Sequence, residues 1–214
     1  MPSRDEIIAR LLDPGVIPVI RAQDAAHVMP ACEALLAGGL NALEITMTTP
    51  NALELIREAK SRFGSRAVVG AGTVMTPEMC LKVIEAGSSF IVTPIMVPEI
   101  ARVAQGAGCI CIMGAFTPTE AQAAYEAGAD YIKIFPAESP AYVAAVLGPL
   151  PHLKIVPTSG VNLTTGPQYF ALGCPLVGVG SSLVSAKILR EQNWTELSRL
   201  AAEFVAMARK APRK

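Results

Sequence analysis

The chain has 214 residues, of which 51% are apolar and 17% charged, and its formal net charge is zero. A chain of this length and composition is predicted to fold as one globular domain, residues 1–214. Because it has no excess of basic residues and no apolar run long enough to cross a bilayer, nucleic-acid binding and membrane association are not expected.

The cysteines and histidines predict neither disulfides nor a metal site. The five cysteines are odd in number, form no C-x-x-C pair and mostly lie in apolar stretches, so we expect reduced thiols. Reduced thiols and a polar N-terminus unlike a signal peptide predict a cytoplasmic protein. His27 and His152 are far apart and lack ligand spacing, so no metal or cofactor is expected.

Short apolar runs recur about every 20 to 25 residues and alternate with amphipathic segments. Many of these segments close on glycine, as at Gly87 and Gly128, and glycine commonly follows a helix C-terminus. The apolar runs predict eight strands, at residues 17–21, 42–46, 67–73, 90–93, 110–113, 131–135, 155–158 and 176–180.

Helix-starting signals follow most of these strands: an aspartate, or a Thr-Pro or Val-Pro pair. They lie at Asp24, Thr49, Thr76, Val97 and Thr117. Thr117 and Glu120 also have capping-box spacing. Helical periodicity predicts an additional helix near residues 3–12 and the eighth helix of the repeat at residues 193–210.

Eight strand–helix units in about 200 residues predict a parallel sheet closed into a (β/α)8 barrel, or TIM barrel, with an additional N-terminal helix. A doubly wound open sheet is the alternative. It needs fewer units or a Gly-x-Gly-x-x-Gly fingerprint after the first strand, which residues 18–22 do not contain. In a barrel, functional residues lie where strands run into the following helices.

The sixth predicted strand carries a lysine in its middle. Period-2 alternation places Lys133 on the same face as Tyr131 and Phe135. A charged ammonium inside a sheet is costly unless it is paired or neutralised. By the same alternation Glu44 faces the interior, since Leu43 and Ile45 face the other way. A structural ion pair between Lys133 and Glu44 is the strongest alternative to a catalytic role.

The ends of the other strands are predicted to form a binding site. Glycine-rich turns after strands 7 and 8, the usual phosphate site of such barrels, contain Thr158-Ser159-Gly160 and Gly180-Ser181-Ser182. Arg21 and Thr73, at the ends of strands 1 and 3, are candidates for holding a substrate carboxylate.

A buried lysine loses its proton more readily than an exposed one and becomes a nucleophile toward carbonyl groups. Lys133 is therefore the candidate for a Schiff base. A neighbouring carboxylate such as Glu44 can move the protons that Schiff-base formation and C–C cleavage require.

The strand ends together resemble the class I 2-keto-3-deoxy-6-phosphogluconate (KDPG) aldolases, which include bifunctional 4-hydroxy-2-oxoglutarate (KHG) aldolases. The resemblance runs from about residue 14 to residue 209 and rests on motifs in order at residues 43–46 (LEIT), 70–74 (GAGTV), 91–94 (IVTP), 133–136 (KIFP), 157–161 (PTSGV) and 178–181 (GVGS). It implies a (β/α)8 barrel, usually a homotrimer, that needs no metal.

The resemblance also implies a role for each matching residue. Lys133 would form the Schiff base with the C2 carbonyl, and Glu44 would be the acid and base. Thr73 would help bind the pyruvate carboxylate. Pro94 and Phe135 would line the pocket. The phosphate would be bound by Ser159, Gly160, Gly180 and Ser181.

Four positions depart from the pattern of many members. Ser159 replaces the first glycine of a Gly-Gly pair and is strained if that position needs a positive φ. Thr48 replaces an arginine that contacts the carboxylate in some members, and Arg21 is the candidate to supply that charge. Met113, in place of a proline, and Ile95, in place of a small residue, affect the expected substrate preference.

The sequence therefore predicts cleavage of KDPG to pyruvate and glyceraldehyde 3-phosphate, with KHG as a further substrate, by Lys133 and Glu44. Arg21, Thr48, Thr73, Pro94, Phe135 and Thr158 are the predicted substrate contacts. Three alternatives are open: the 6-phosphogalactonate epimer as substrate, a phosphate-binding barrel isomerase or epimerase without Schiff-base chemistry, and a non-catalytic binder of phosphorylated oxo-acids.

Overall fold

A computed structural model describes residues 2–213. Its strands are β1 Val16–Ile20, β2 Ala42–Thr46, β3 Val68–Gly72, β4 Phe90–Val92, β5 Ile110–Ala115, β6 Tyr131–Ile134, β7 Ile155–Pro157 and β8 Val177–Val179. Its α-helices are α1 Arg4–Leu12, α2 Val28–Ala37, α3 Ala52–Phe63, α4 Pro77–Glu85, α5 Pro98–Gly106, α6 Pro118–Glu126, α7 Pro140–Leu147, α8 Gly166–Ala171, α9 Ala186–Arg190 and α10 Trp194–Lys210.

All neighbouring strands pair in parallel, in the order β7-β6-β5-β4-β3-β2-β1-β8. A single parallel bridge between Thr158 and Gly178 joins β7 to β8 and closes the ring. The predicted (β/α)8 barrel is therefore confirmed. Closure brings the carboxyl ends of all eight strands to one mouth, where residues far apart in sequence meet.

The predicted N-terminal helix is α1, which closes the opposite end of the barrel. Ser3 and Glu6 form a reciprocal capping box at its start. Its apolar face, Ile7 and Leu11, packs into the inner core with residues of the strands. Arg4 also pairs with Asp130 at the start of β6. This helix thus keeps water out of the floor beneath the barrel mouth.

Several boundaries differ from the sequence prediction. The strands β1, β3, β4, β6, β7 and β8 each end one residue earlier than predicted, so residues such as Arg21, Thr73 and Thr158 lie just beyond their strands. Asn51, with a left-handed φ of 57°, precedes α3 in place of Thr49. The short helix α9 was not predicted, so the C-terminal helix is α10. These deviations arise where loop contacts, which periodicity does not report, outweigh local propensity.

Among residues 2–213, no helix is both long enough and apolar enough to cross a membrane. In the same part of the chain, no cluster of three or more histidine, cysteine or acidic side chains is arranged to hold a metal ion. All five cysteines are buried and unpaired, and burial raises the pKa of Cys32, Cys80 and Cys111 to about 12.

Candidate active site

A cavity of about 370 Å³ opens at the barrel mouth. Eight of the predicted site residues line it: Arg21, Lys133, Phe135, Thr158, Ser159, Gly160, Gly180 and Ser181. These residues come from the ends of β1, β6, β7 and β8, which only closure of the barrel brings together. The cavity therefore places a buried amine, an arginine and two glycine-containing turns around one volume.

Lys133 lies in the middle of β6, paired in register with Gly114 of β5 and Val156 of β7. Its side chain is 6% exposed. The Nζ atom lies 5.0 Å from the centroid of the Phe135 ring. Burial lowers the pKa of Lys133, while the nearby Glu44 opposes this and Arg21 adds to it. The lysine is thus held so that a neutral, nucleophilic amine is accessible.

Glu44 lies on β2 and is 3% exposed. A Cβ on Gly72 of the neighbouring strand would stand 2.1 Å from its Oε1 atom, so any larger residue there would displace the carboxyl group. Within the described residues, Oε1 has no hydrogen-bond partner. Burial raises the pKa of Glu44, and Lys133 and Arg21 oppose the rise. Such a carboxyl group can hold a proton and release it during a reaction.

Lys133 and Glu44 influence each other's pKa but form no salt bridge. Among residues 2–213, eight ion pairs have a nitrogen and an oxygen atom within 4.0 Å, and none of them joins Lys133 to Glu44. A structural ion pair was the strongest alternative to catalysis, and the geometry does not favour it. Lys133 lines the cavity and Glu44 lies close enough to shift the pKa of Lys133, and buried groups whose pKa values are perturbed in this way are typical of a reactive site.

Arg21 and Thr73 meet across the mouth. Arg21 Nη2 donates to Thr73 Oγ1 at 3.4 Å. Thr73 has a φ of 59°, which is a strained conformation for a β-branched residue. Thr48, by contrast, is exposed, shares a hydrogen bond of 3.0 Å with Thr46 Oγ1, and does not line the cavity. The structure thus brings Arg21, but not Thr48, to the site.

Pro94 is packed directly onto β5 beside the lysine. A Cβ on Gly114, the register partner of Lys133, would lie 2.3 Å from the Pro94 carbonyl carbon. The buried Thr93 holds this contact, since its Oγ1 accepts the Gly114 N–H at 2.9 Å and donates to the Ile95 carbonyl at 2.6 Å. Thr93 was not among the predicted site residues. Its only signal was a hydroxyl residue at a strand end before proline.

The two turns after β7 and β8 expose backbone N–H groups. Ser159 and Gly160 have φ values of 74° and 73°. In the described part of the chain, the N–H groups of Gly160 and Val161 donate to no backbone or side-chain group, nor do those of Ser181 and Ser182. These residues line one cavity, and free amide donors in turns beside a cavity are the usual cradle for an anionic oxygen group.

Replacing Ser159 with glycine should raise the free energy of unfolding by about 0.5–1 kcal/mol. A left-handed φ costs an L-residue about 1–2 kcal/mol, which exceeds the extra chain entropy that glycine loses on folding. Chemical denaturation measures the change. The matched control is Ser181→Gly, because Ser181 lies outside the left-handed region and should lose stability. Equal losses in both variants would contradict strain at Ser159.

The sequence of the whole chain is similar to those of known proteins. The family model described as KDPG and KHG aldolase matches residues 7–200. The 2-dehydro-3-deoxy-phosphogluconate aldolase of Haemophilus influenzae is 31% identical over 209 residues, covering 95% of this chain and 97% of that protein.

Two solved structures are similar over 92% of this chain. One is a KDPG aldolase from Legionella pneumophila with pyruvate captured as a covalent carbinolamine, at 30% identity, a TM-score of 0.82 and 96% of that chain covered. The other belongs to a protein cage designed by fusing symmetric oligomeric domains, at 32% identity, a TM-score of 0.85 and 73% of that chain covered. This chain therefore belongs to the KDPG and KHG aldolase family and is an aldolase.

Proposed function

We propose that this aldolase cleaves KDPG to pyruvate and glyceraldehyde 3-phosphate through a Schiff base on Lys133. The observation that carries the proposal is the buried Lys133 amine, with no ion-pair partner among the described residues, on the wall of a cavity rimmed by free amide donors. An isomerase would need the phosphate cradle but not this amine. Membership of an aldolase family argues against both an isomerase and a non-catalytic binding protein.

In the proposed reaction the neutral Lys133 amine adds to the C2 carbonyl. Protonated Glu44 then gives its proton to the carbinolamine hydroxyl, which leaves as water and forms the iminium. Glu44 takes the proton of the C4 hydroxyl, and the C3–C4 bonding pair moves into the iminium, giving an enamine and the free aldehyde. Glu44 returns this proton to C3, and water then hydrolyses the iminium to pyruvate and the lysine, whose extra proton goes back to Glu44. The raised pKa of Glu44 suits it to both accepting and returning protons.

The two ends of the substrate are proposed to bind at opposite sides of Lys133. Arg21 and Thr73 would hold the C1 carboxylate, while the turns at Ser159–Gly160 and Gly180–Ser181 would hold the 6-phosphate. Pro94 and Phe135 would shield the reacting carbon atoms, and Thr158 would line the wall between the amine and the phosphate. Support comes from the cavity, which Arg21, Phe135, Thr158 and the two turns line. Thr73 and Pro94 do not line it, and their support is the Arg21–Thr73 hydrogen bond and the contact of Pro94 with Gly114 beside Lys133. Thr48 remains a predicted contact without such support.

Pyruvate release tests the proposal directly. We expect purified protein to release pyruvate from KDPG, with a higher kcat/KM than from the 6-phosphogalactonate epimer or from KHG. The comparison uses a coupled pyruvate assay with all three substrates. Release of pyruvate mainly from the galactonate epimer would assign the alternative substrate, and no release from any of them would reject aldolase activity on these acids.

Arg21→Ala is expected to raise the KM for KDPG about tenfold, since a charge-assisted hydrogen bond to a carboxylate contributes on the order of 1.5 kcal/mol. The pyruvate concentration that half-saturates borohydride trapping should rise similarly, because pyruvate carries the same carboxylate. Steady-state kinetics and trapping measure the two values. Arg57→Ala, on the outer helix α3, is the control and should change neither. An unchanged KM would remove Arg21 from the carboxylate site.

We further infer that the protein is a cytoplasmic homotrimer in which residues 1–214 form one domain. One continuous barrel supports one domain, since α1 packs into its floor and α10 packs against the outer helices α2 and α8. The five free cysteines support a reducing compartment. Met75, Ile95 and Phe116 leave large apolar side chains exposed on the loops after β3, β4 and β5, as expected of a subunit interface. Light scattering should give three times the 22.4 kDa chain mass.

A further inference from the structure

The turn that follows β7 is held by a side chain from the next loop, just before α8. Thr165 Oγ1 donates to the Gly160 carbonyl oxygen at 3.0 Å and accepts the Asn162 N–H at 3.0 Å. Asn162 Oδ1 in turn accepts the N–H groups of Thr164 and Thr165 at 2.8 and 3.0 Å. These bonds form a small closed network behind the turn.

This network determines which way one peptide group faces. In a trans peptide the C=O and the N–H point in opposite directions. Because the Gly160 carbonyl is bonded to Thr165, the N–H of Val161 is directed away from Thr165. Val161 lines the cavity, and its N–H has no protein acceptor in the described residues. One hydroxyl group therefore presents an amide donor to the cavity.

The turn needs such support because its backbone is strained. Ser159 and Gly160 are consecutive residues with left-handed φ values, and Ser159 pays a steric cost there. Apart from the bond to Thr165, the turn is held by the Ala137 N–H, which donates to the Thr158 carbonyl at 2.8 Å. Without the Thr165 hydroxyl the Gly160–Val161 peptide is free to rotate toward less strained conformations.

We propose that Thr165 is a positioning residue for the phosphate group of the substrate, acting through the Gly160–Val161 peptide. The proposal rests on the proposed function, which places the 6-phosphate at this turn. It adds a residue outside the cavity that selects phosphorylated over unphosphorylated oxo-acids. Thr165 does not touch the ligand itself.

A purely helical role for Thr165 is the competing explanation. However, its side chain makes no capping bond to α8. Asn162 provides the acceptors at the entry to that helix instead. Its side chain accepts the N–H groups of Thr164 and Thr165, and its carbonyl accepts the N–H of Gly166. The hydroxyl of Thr165 points its hydrogen at the turn, so its removal should affect the turn first.

The test compares Thr165→Val, which removes the hydroxyl at nearly constant shape, with Thr165→Ser, which keeps it. Thr164→Val is the matched control, because the Thr164 side chain forms no hydrogen bond to the described residues. Two values are measured for each protein. The first is the KM and kcat for KDPG, and the second is the pyruvate concentration that half-saturates borohydride trapping on Lys133.

We expect Thr165→Val to raise the KM for KDPG about tenfold, with kcat within about twofold and half-saturating pyruvate unchanged. Thr165→Ser and Thr164→Val should both resemble the wild type. Pyruvate carries no phosphate, so a merely structural effect would move both measurements together.

An unchanged KM in folded Thr165→Val, or an equal rise for KDPG and pyruvate, would overturn the proposal. Thr165→Ala provides a second variant if the valine variant does not fold, and failure of both to fold would show a structural role and also overturn it. Failure of the proposed function is recognised separately, since the wild type would then neither cleave KDPG nor trap pyruvate.

Discussion

Lys133→Ala should abolish the covalent adduct with pyruvate and lower kcat/KM for KDPG by at least about 10⁴-fold. The amine is the nucleophile of the proposed reaction, and loss of a nucleophile removes the covalent route entirely. Borohydride reduction in the presence of pyruvate, followed by peptide mass spectrometry, locates the adduct. Circular dichroism should show an unchanged barrel, because alanine removes a buried amine that has no ion pair in the described residues.

Two matched variants sharpen this result. Lys133→Arg keeps the positive charge but has no nucleophilic amine at neutral pH, so it should be as inactive as Lys133→Ala. Lys154→Ala removes an exposed lysine that lies over the Tyr131 ring and should retain activity and the adduct. An adduct of unchanged mass and yield in Lys133→Ala would reject Schiff-base formation at this residue.

Glu44→Gln should lower kcat for KDPG by about 10²–10⁴-fold, the usual contribution of a general acid and base. Glutamine has nearly the shape of glutamate, so the fit beside Gly72 is preserved. Steady-state kinetics measure the loss. Glu54→Gln, in a surface pair on α3, is the control and should leave kcat unchanged. Activity within twofold of the wild type in Glu44→Gln would assign the proton transfers to another group.

The same variant makes a prediction about pH. The rate of pyruvate trapping should rise as the pH rises through the pKa of Lys133, because only the neutral amine attacks. Glu44 raises that pKa, so Glu44→Gln should move the rise to lower pH. Arg21 lowers it, so Arg21→Ala should move the rise to higher pH. Movement of both variants in one direction would contradict the electrostatic coupling of the three groups.

Glu44 should also influence stability with a definite sign. Its pKa in the folded protein is raised by burial above the unfolded value. Its contribution to stability is therefore present at low pH and is lost as the pH rises through the raised pKa. Glutamine does not ionise, so Glu44→Gln should not lose this stability. The free energy of unfolding of the variant minus that of the wild type should therefore increase as the pH rises. Denaturation at several pH values measures the difference.

Much of this fold was predictable because it depends on local patterns. Eight apolar runs separated by helical segments that often end in glycine require a parallel sheet, and the sheet can bury all of them only by closing or by being covered on both faces. Thr76 and Thr117 capped helices as their neighbours indicated. Asn51 and the helix α9 were missed, because loop packing outweighed weak local preferences.

The candidate site was predictable for residues whose role follows from the face of the strand on which they lie. Period-2 alternation alone predicted that Lys133 and Glu44 face the barrel interior, and the glycine-containing turns indicated where β7 and β8 end. Thr93 and Thr165 were not predicted to be site residues, since the role of a hydroxyl group depends on which group it hydrogen-bonds. Each bonds across a loop or a neighbouring strand, at a distance that no sequence pattern encodes.

The sequence by itself determined the barrel, the inward lysine and glutamate, and the family, because periodicity and motif order are properties of the chain. Only the tertiary structure decided that Lys133 and Glu44 are buried without pairing, that Ser159 is held at a positive φ, and that Arg21 rather than Thr48 reaches the cavity. These features depend on distances between strand ends, and those distances exist only once the ring between β7 and β8 has closed.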